Sequence, residues 1–126
     1  MQTINKIDDK DSFKDVYFAI GKCINDFAGI SKNIPKVMLK IVQNIYGRFE
    51  ESRCLIHRAT REHDVLKKLE YLNMAYGLTV EQQSSFQSLV DGEGCTVGQA
   101  HLVIEGLHDI YKQIGKWKSY LINEQQ

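Results

Sequence analysis

The chain has 126 residues, of which 43% are hydrophobic, and its single proline is Pro35. This composition supplies one apolar core, leaves no room for a second domain and lets long helices run uninterrupted, which favours an all-α fold over a sandwich or barrel. Lysine plus arginine and aspartate plus glutamate both total 16, so the formal net charge is zero and the whole chain lacks the basic character of a typical nucleic-acid-binding domain.

Cysteine spacing and hydropathy both predict a soluble cytoplasmic protein. Cys23, Cys54 and Cys95 are odd in number and far apart, which fits neither a disulfide framework nor a zinc site. No apolar run approaches the roughly 20 residues that a membrane span needs. We therefore expect reduced thiols, no secretion and no membrane insertion.

The N-terminal segment is polar and has no hydrophobic period. We therefore expect a flexible N-terminal tail at 1–10 and a single four-helix bundle domain at 11–122. Asp11 or Ser12 caps the first predicted helix, which runs to about residue 27. Its apolar stripe has helical spacing and comprises Phe13, Val16, Tyr17, Ile20, Ile24 and Phe27.

Pro35 marks the start of the second predicted helix, because proline is tolerated in a first helical turn. Apolar residues then recur in alternating steps of four and three as far as about His63, which is the spacing of helices that pack side by side. This stripe comprises Met38, Val42, Ile45, Phe49, Ser52, Ile56 and Ala59.

The second helix is also basic. Residues 32–68 hold nine lysines and arginines against four acidic residues, whereas residues 69–126 hold three against seven. At about 100° per helical residue, the side opposite the apolar stripe carries Lys36, Lys40, Arg58 and Arg61. We predict that these four residues bind nucleic acid or another acidic partner, and the alternative is an ordinary solvated face.

The third predicted helix has a polar middle. Its apolar stripe is interrupted at Thr79 and Gln83 and otherwise comprises Val65, Leu69, Leu72, Tyr76, Phe86 and Val90. Gly77 followed by Thr79-x-x-Gln82 is also typical of a capping box, so two shorter helices are an alternative. We favour one continuous helix.

The last predicted helix has the clearest boundaries. Asp91-Gly92-Glu93-Gly94 is a strong stop signal, and Thr96-x-x-Gln99 is a capping box that opens a new helix. The apolar stripe that follows comprises Ala100, Val103, Leu107, Ile110, Ile114, Trp117 and Leu121. Four long helices with short connections predict an up-down antiparallel four-helix bundle.

Catalytic motifs are lacking in the sequence. It contains no nucleophile elbow, phosphate-binding glycine loop or paired catalytic carboxylates, so we expect no enzymatic activity and no cofactor. His101, Glu105 and His108 share one helix face and could ligate a metal, but that face points outward, and ordinary exposed polar residues are the preferred interpretation. We therefore expect no metal, and a metal-dependent enzyme built on these residues is the weakest hypothesis.

Two residues near the end of the last helix are predicted to act in packing. Trp117 lies on the apolar stripe, so we interpret it as a core residue in preference to a ligand-stacking one. Gly115 allows another helix, or a neighbouring subunit, to approach closely.

The last helix resembles a known family. Thr96-x-x-Gln99 and Asp109-Ile110-x-Lys112-x-Ile114-Gly115-x-Trp117 are similar to the accessory variability determinant (Avd) proteins of diversity-generating retroelements and to four-helix proteins encoded within intervening sequences of bacterial ribosomal RNA genes. The resemblance implies a four-helix bundle that assembles into a pentamer. It also implies that the protein binds a reverse transcriptase and its structured template RNA and has no active site. Lys112 matches the family's basic position.

Two functional hypotheses follow. The first is a non-catalytic, oligomeric accessory protein of a diversity-generating retroelement, which supports mutagenic complementary-DNA synthesis. Because the chain is neutral, its RNA affinity should be lower than that of the family's basic members, or should depend on several faces of the second helix brought together by oligomerisation. The alternative is a protein-protein interaction bundle of a phage or mobile element that does not bind nucleic acid.

Overall fold

The computed structural model describes the backbone of residues 2–124 and the side chains of residues 9–124. Within this part of the chain there is no β-strand, and the predicted all-α class is confirmed. A short 3-10 turn covers Lys36–Met38. The four α-helices are α1 (Gln2–Ser31), α2 (Leu39–Arg61), α3 (Val65–Asp91) and α4 (Val97–Glu124).

Consecutive helices pack against each other in antiparallel pairs. The Gln82 amide of α3 donates to the carbonyl of Ile45 in α2 (2.9 Å), and the Lys68 ammonium donates to the carbonyl of Ala59 (3.0 Å). A later residue of α3 thus meets an earlier residue of α2, as an antiparallel pair requires. Helix α1 also packs against α4, which closes the four helices into a four-helix bundle.

Each helix buries one apolar stripe in a common core. Trp117 is the largest fully buried side chain, and it is surrounded by residues from the other helices. All seven residues predicted for the α4 stripe are buried, and so are six of the seven predicted for α2, with Met38 partly buried. The stripe of α3 is shifted relative to the prediction and comprises Lys68, Leu72, Ala75, Thr79, Gln82, Phe86 and Leu89.

The start of the domain differs from the prediction. Helix α1 begins at Gln2, ahead of the start predicted at Asp11 or Ser12, and Asp9, assigned to the tail, contacts both α3 and α4. Its partners Lys68 and Trp117 are 59 and 108 residues away, so no local period in the sequence reveals the contact. The flexibility predicted for the first residues falls on Met1 and on side chains outside the described part.

The α1–α2 connection is held by an unexpected contact. Pro35 precedes the 3-10 turn, its carbonyl accepts from the Met38 N–H (2.9 Å), and α2 begins only at Leu39. The Met38 side chain lies against Gly92 and Gly94, where an added Cβ would come within 2.7 and 2.5 Å of it. These two glycines therefore serve as the contact surface for Met38 as well as ending α3.

Helix α3 is continuous through its polar middle, as predicted. The Thr79 hydroxyl donates to the Ala75 carbonyl (2.9 Å) and does not cap a new helix, so the alternative of two shorter helices is wrong. Gln82 stays buried because its amide finds an acceptor in α2. Tertiary contact thus compensates for the polar residues that interrupt the apolar stripe.

The capping box of α4 is formed as predicted. The Thr96 N–H donates to the Gln99 side chain (2.9 Å), and the Gln99 N–H donates to the Thr96 hydroxyl (3.1 Å). At the preceding stop, the Gly94 N–H donates to the Leu89 carbonyl (2.7 Å), and Glu93 takes a left-handed φ of 61°. Reciprocal side-chain bonds satisfy helix N–H groups that would otherwise lack partners, and they fix where α4 begins.

Candidate binding surfaces

The predicted basic residues are all exposed to solvent. None of their side chains forms an ion pair or hydrogen bond in the described part of the chain, whereas the side chains of Lys22, Arg48, Arg53 and Lys68 are paired. Unpaired cations can meet an anionic partner without first breaking an internal contact. The five predicted basic residues are Lys36, Lys40, Arg58, Arg61 and Lys112.

The four basic residues around α2 form two separate pairs. Lys36 and Lys40 lie at the N-terminal end of α2, and Arg58 and Arg61 lie in its last turn. The 18 residues from Lys40 to Arg58 correspond to about 27 Å along the helix. Exposed Glu50 and Glu51 lie between the pairs. One α2 face therefore presents two basic ends and an acidic middle, and the sequence projection did not show this division.

Lys112 lies on a different side of the molecule. It is exposed on α4, and α2 and α4 are diagonal members of the bundle, because each packs mainly against α1 and α3. Their outward faces point in roughly opposite directions. Lys112 of one chain cannot contact the same small ligand as the basic residues of α2.

Trp117 is a core residue, as predicted, but it is also hydrogen-bonded. Its indole N–H donates to the Asp9 carboxylate (2.6 Å). A Cβ added at Gly115 would meet no atom within 4 Å, so no helix of the described chain approaches there. The close approach occurs at Gly106, where an added Cβ would lie 2.5 Å from the Cys23 sulfur. Within the described chain, α4 is therefore approached closely at Gly106, and a subunit contact at Gly115 stays a prediction.

The residues considered as metal ligands do not converge. His101 and Glu105 form an exposed pair (Nε2 to Oε1, 3.0 Å), and the His108 ring contacts Tyr111, with centroids 5.2 Å apart. Among residues whose side chains are described, no three histidine, cysteine, aspartate or glutamate side chains are grouped as a metal site requires. His101 and His108 therefore have different local partners.

A polar network at one end of the bundle was not predicted. The Lys68 ammonium donates to the Asp9 carboxylate (2.8 Å) and to the Ala59 carbonyl at the end of α2, and Asp9 also accepts from Trp117. We call Asp9, Lys68, Trp117 and the Ala59 carbonyl the end network. It joins one residue from each helix. Lys68 lies on the observed buried stripe of α3, which is shifted relative to the predicted one, so the sequence pattern did not indicate this site.

A cavity of about 640 Å³ opens beside the end network. Its apolar walls come from Phe13, Val65 and Leu121, and both signs of charge lie around it, at Lys10, Lys68, Asp9, Glu62 and Glu124. The charges of Asp9 and Lys68 are paired with each other. Thr60, His63 and Tyr120 complete the lining.

Burial disfavours the thiolate form of two cysteines. It raises the pKa of Cys23 to about 12, and partial burial also raises the pKa of Cys95. A thiol reacts through its thiolate, so burial lowers the reactivity of Cys23 in particular. Cys54 is the exposed one of the three.

Two further observations bear on the class of the protein. None of the described helices combines the length and the apolar character needed to cross a membrane. Comparison of the chain with protein families, characterised proteins and solved structures finds no match. The candidate surfaces must therefore be interpreted from their own chemistry.

Proposed function

We propose that the protein is a non-catalytic, oligomeric accessory factor that binds an RNA–protein complex. In its specific form, the proposal is an Avd-like protein of a diversity-generating retroelement, which holds a reverse transcriptase and its structured template RNA during mutagenic complementary-DNA synthesis in the cytoplasm. No cofactor is required for this role. The observation that carries the proposal is that all five predicted cations are exposed and have no side-chain partner in the described part of the chain.

The chemistry of these cations suits phosphate binding. Lysine ammonium and arginine guanidinium groups bind backbone phosphates and release condensed counterions, which gives affinity without sequence readout. A cation already paired with a carboxylate would gain less binding free energy from a phosphate, because the existing ion pair must first be broken. Arg58 and Arg61 also lie in the last turn of α2, where a positive charge interacts favourably with the helix dipole. Helix stabilisation is therefore the competing interpretation for those two residues.

Oligomerisation reconciles the proposal with zero net charge. Lys112 and the α2 cations face different directions in one chain, so a single subunit offers only small basic areas. In a ring of about five subunits, the Lys112 face of one subunit and the α2 face of the next would both contribute to one extended surface. Gly115, whose outer side is open, is our candidate for the subunit contact.

A protein-interaction bundle without RNA binding is the second candidate. Glu50 and Glu51 favour it, because acidic residues between the two basic pairs repel a phosphate backbone laid along α2. A protein partner could match this alternation of charges along the helix. Such a partner would belong to a phage or mobile element.

RNA titration of charge-reversal variants separates the two candidates. We expect Lys36→Glu/Lys40→Glu and Arg58→Glu/Arg61→Glu each to weaken binding of a structured RNA at least tenfold and to reduce its log–log salt slope by about 1 for each phosphate that is no longer neutralised. The matched control is Lys14→Glu/Lys22→Glu on α1, which makes the same change in net charge. Equal weakening in all three variants would indicate non-specific attraction, and no binding by the wild-type protein at low salt would favour the protein-interaction bundle.

The mass of the native particle tests the assembly. Light scattering should give roughly five chains per particle and additional RNA mass only at low salt. A monomer indifferent to RNA would contradict the accessory-factor proposal.

A further inference from the structure

We infer that the 3-10 turn and the start of α2, Lys36–Lys40, form the docking site for a protein segment that carries both acidic and apolar side chains. This inference rests on the proposed function and refines it: it names the protein-binding part of the surface, where Lys36 and Lys40 contact both the protein partner and the RNA. The observation behind it is two exposed apolar side chains set among unpaired lysines on a firmly anchored turn.

The inner side of the turn is anchored to the rest of the bundle. Met38 lies against Gly92 and Gly94 of the α3–α4 connection, and Ile34 and Ile41 on either side pack against the core. The Pro35 carbonyl accepts the Met38 N–H, which closes the turn. A surface segment fixed in this way loses little conformational freedom when a partner binds it.

The outward side of the same turn is apolar. Val37 is 91% exposed and Leu39 is 54% exposed, although Met38 between them is half-buried. Leu39 is also the one exposed large hydrophobic residue of α2. Single exposed apolar residues are common on protein surfaces, but two that flank an anchored methionine offer a small, preformed contact area.

The lysines nearest to this apolar pair in the sequence are unpaired. Lys32, Lys36 and Lys40 are exposed and form no ion pair in the described structure, and the sequence has no acidic residue from 27 to 49. Asp91 at the end of α3 and Glu93 in the α3–α4 connection flank Gly92, but Asp91 accepts from Gln87 and neither forms an ion pair with these lysines. A partner that buries Val37 and Leu39 must therefore bring carboxylates to the surrounding lysines.

This combination points to a protein and not to RNA. A phosphate backbone gains little from exposed valine and leucine, whereas an amphipathic helix with glutamates beside leucines satisfies both parts of the site. An anionic lipid surface shares the same charge and hydrophobicity, so the experiment must separate the two. The patch is small, and we expect weak binding unless several subunits act together.

The probe is a fluorescein-labelled amphipathic helical peptide composed mainly of glutamate and leucine. Fluorescence anisotropy would compare the wild-type protein with Val37→Ser/Leu39→Ser and with Lys36→Gln/Lys40→Gln. We expect each double variant to raise Kd about tenfold. The matched control is Leu66→Ser, which removes an equally exposed apolar side chain (71%) at the opposite end of the bundle and should leave Kd unchanged. Thermal unfolding of each variant confirms that the bundle is folded.

Specificity is tested with three further probes. A glutamate–serine peptide and a lysine–leucine peptide should both bind at least tenfold more weakly than the glutamate–leucine peptide. Any binding of phosphatidylserine vesicles should be the same in the wild-type protein and in Val37→Ser/Leu39→Ser. Loss of vesicle binding in that variant, or an unchanged peptide Kd in it, would overturn the inference.

The RNA titration distinguishes this inference from the proposed function. We expect Val37→Ser/Leu39→Ser to bind the structured RNA as the wild-type protein does, and an equal loss of RNA affinity would mean that this turn is part of an RNA site. If the wild-type protein fails to bind RNA but the peptide result stands, the docking site survives and the accessory role does not. If the wild-type protein binds RNA but not the peptide, the accessory role survives and the docking site does not.

Discussion

The Trp117 indole N–H donates to the Asp9 carboxylate at 2.6 Å, which joins residues 108 positions apart in the sequence. The same carboxylate accepts from the Lys68 ammonium, whose side chain is only 10% exposed. A charge buried to this degree is tolerated only when it is paired. Asp9 is therefore the residue on which the end network depends.

Removal of Asp9 should destabilise the bundle. Asp9→Ala leaves the Lys68 ammonium with only the Ala59 carbonyl and leaves the Trp117 N–H without an acceptor, so we expect a decrease of about 2–4 kcal/mol in the free energy of unfolding. Urea denaturation measures it. The exposed neighbour Asp11 is the control, and Asp11→Ala should change stability by less than about 0.5 kcal/mol.

A double-mutant cycle tests the ion pair itself. Lys68→Met removes the buried charge, so Asp9→Ala should cost less in that background, with a coupling of about 1–3 kcal/mol. Simple additivity of the two changes would show that Asp9 and Lys68 do not interact in solution as they do in this structure.

The Gly106 contact predicts a steric effect that can be reversed. Gly106→Ala places a Cβ 2.5 Å from the Cys23 sulfur in the interior of the α1–α4 interface, and we expect a destabilisation of about 1–3 kcal/mol despite alanine's better helix propensity. Adding Cys23→Ala should restore most of the stability, because it removes the clashing atom. Thermal or urea unfolding gives both values.

Gly115→Ala is the natural comparison for Gly106→Ala. No atom lies within 4 Å of the added Cβ, so the folded chain should gain up to about 1 kcal/mol from helix propensity. If Gly115 is a subunit contact, the same variant should lower the native mass by light scattering while raising the stability of the subunit. A destabilised subunit would contradict the open surroundings of Gly115.

Gln82 is predicted to be a site where stability can be gained. Its amide N–H donates to the Ile45 carbonyl, but its buried side-chain oxygen has no hydrogen-bond partner within the described structure. Gln82→Met removes that oxygen at similar volume, and we expect stabilisation by about 1 kcal/mol. Gln82→Glu should instead destabilise the protein, because a carboxylate would face the Ile45 carbonyl. Gln87→Met, on the surface of α3, is the neutral control.

The raised pKa of Cys23 predicts that the free energy of unfolding decreases at alkaline pH. Its pKa is about 12 in the folded protein, against an ordinary value of 9.0. Between pH 9 and 12 the unfolded state therefore binds fewer protons, so the thiol's contribution to stability decreases as pH rises through that window. Cys23→Ala should show a shallower decrease than the wild-type protein.

Local signals in the sequence sufficed for the helices but not for the sites. The α4 stripe and the Thr96–Gln99 capping box are encoded within a few residues, and both form as predicted. Asp9, in contrast, is fixed by partners on α3 and α4, and a polar segment without a period gave no sign of them. The division of the basic residues into two pairs was also missed, because a helical projection preserves angle and discards the distance along the axis.

The ring of helix contacts has a consequence for folding cooperativity. Because α1 packs against both α2 and α4, no helix is a terminal layer that can detach and leave the other three fully packed. Detachment of α1 exposes part of the core under α2 and α4 and also removes Asp9 from Lys68. Core amides of α1 and α4 should therefore exchange with solvent hydrogen only through a common global opening, as one cooperative unit.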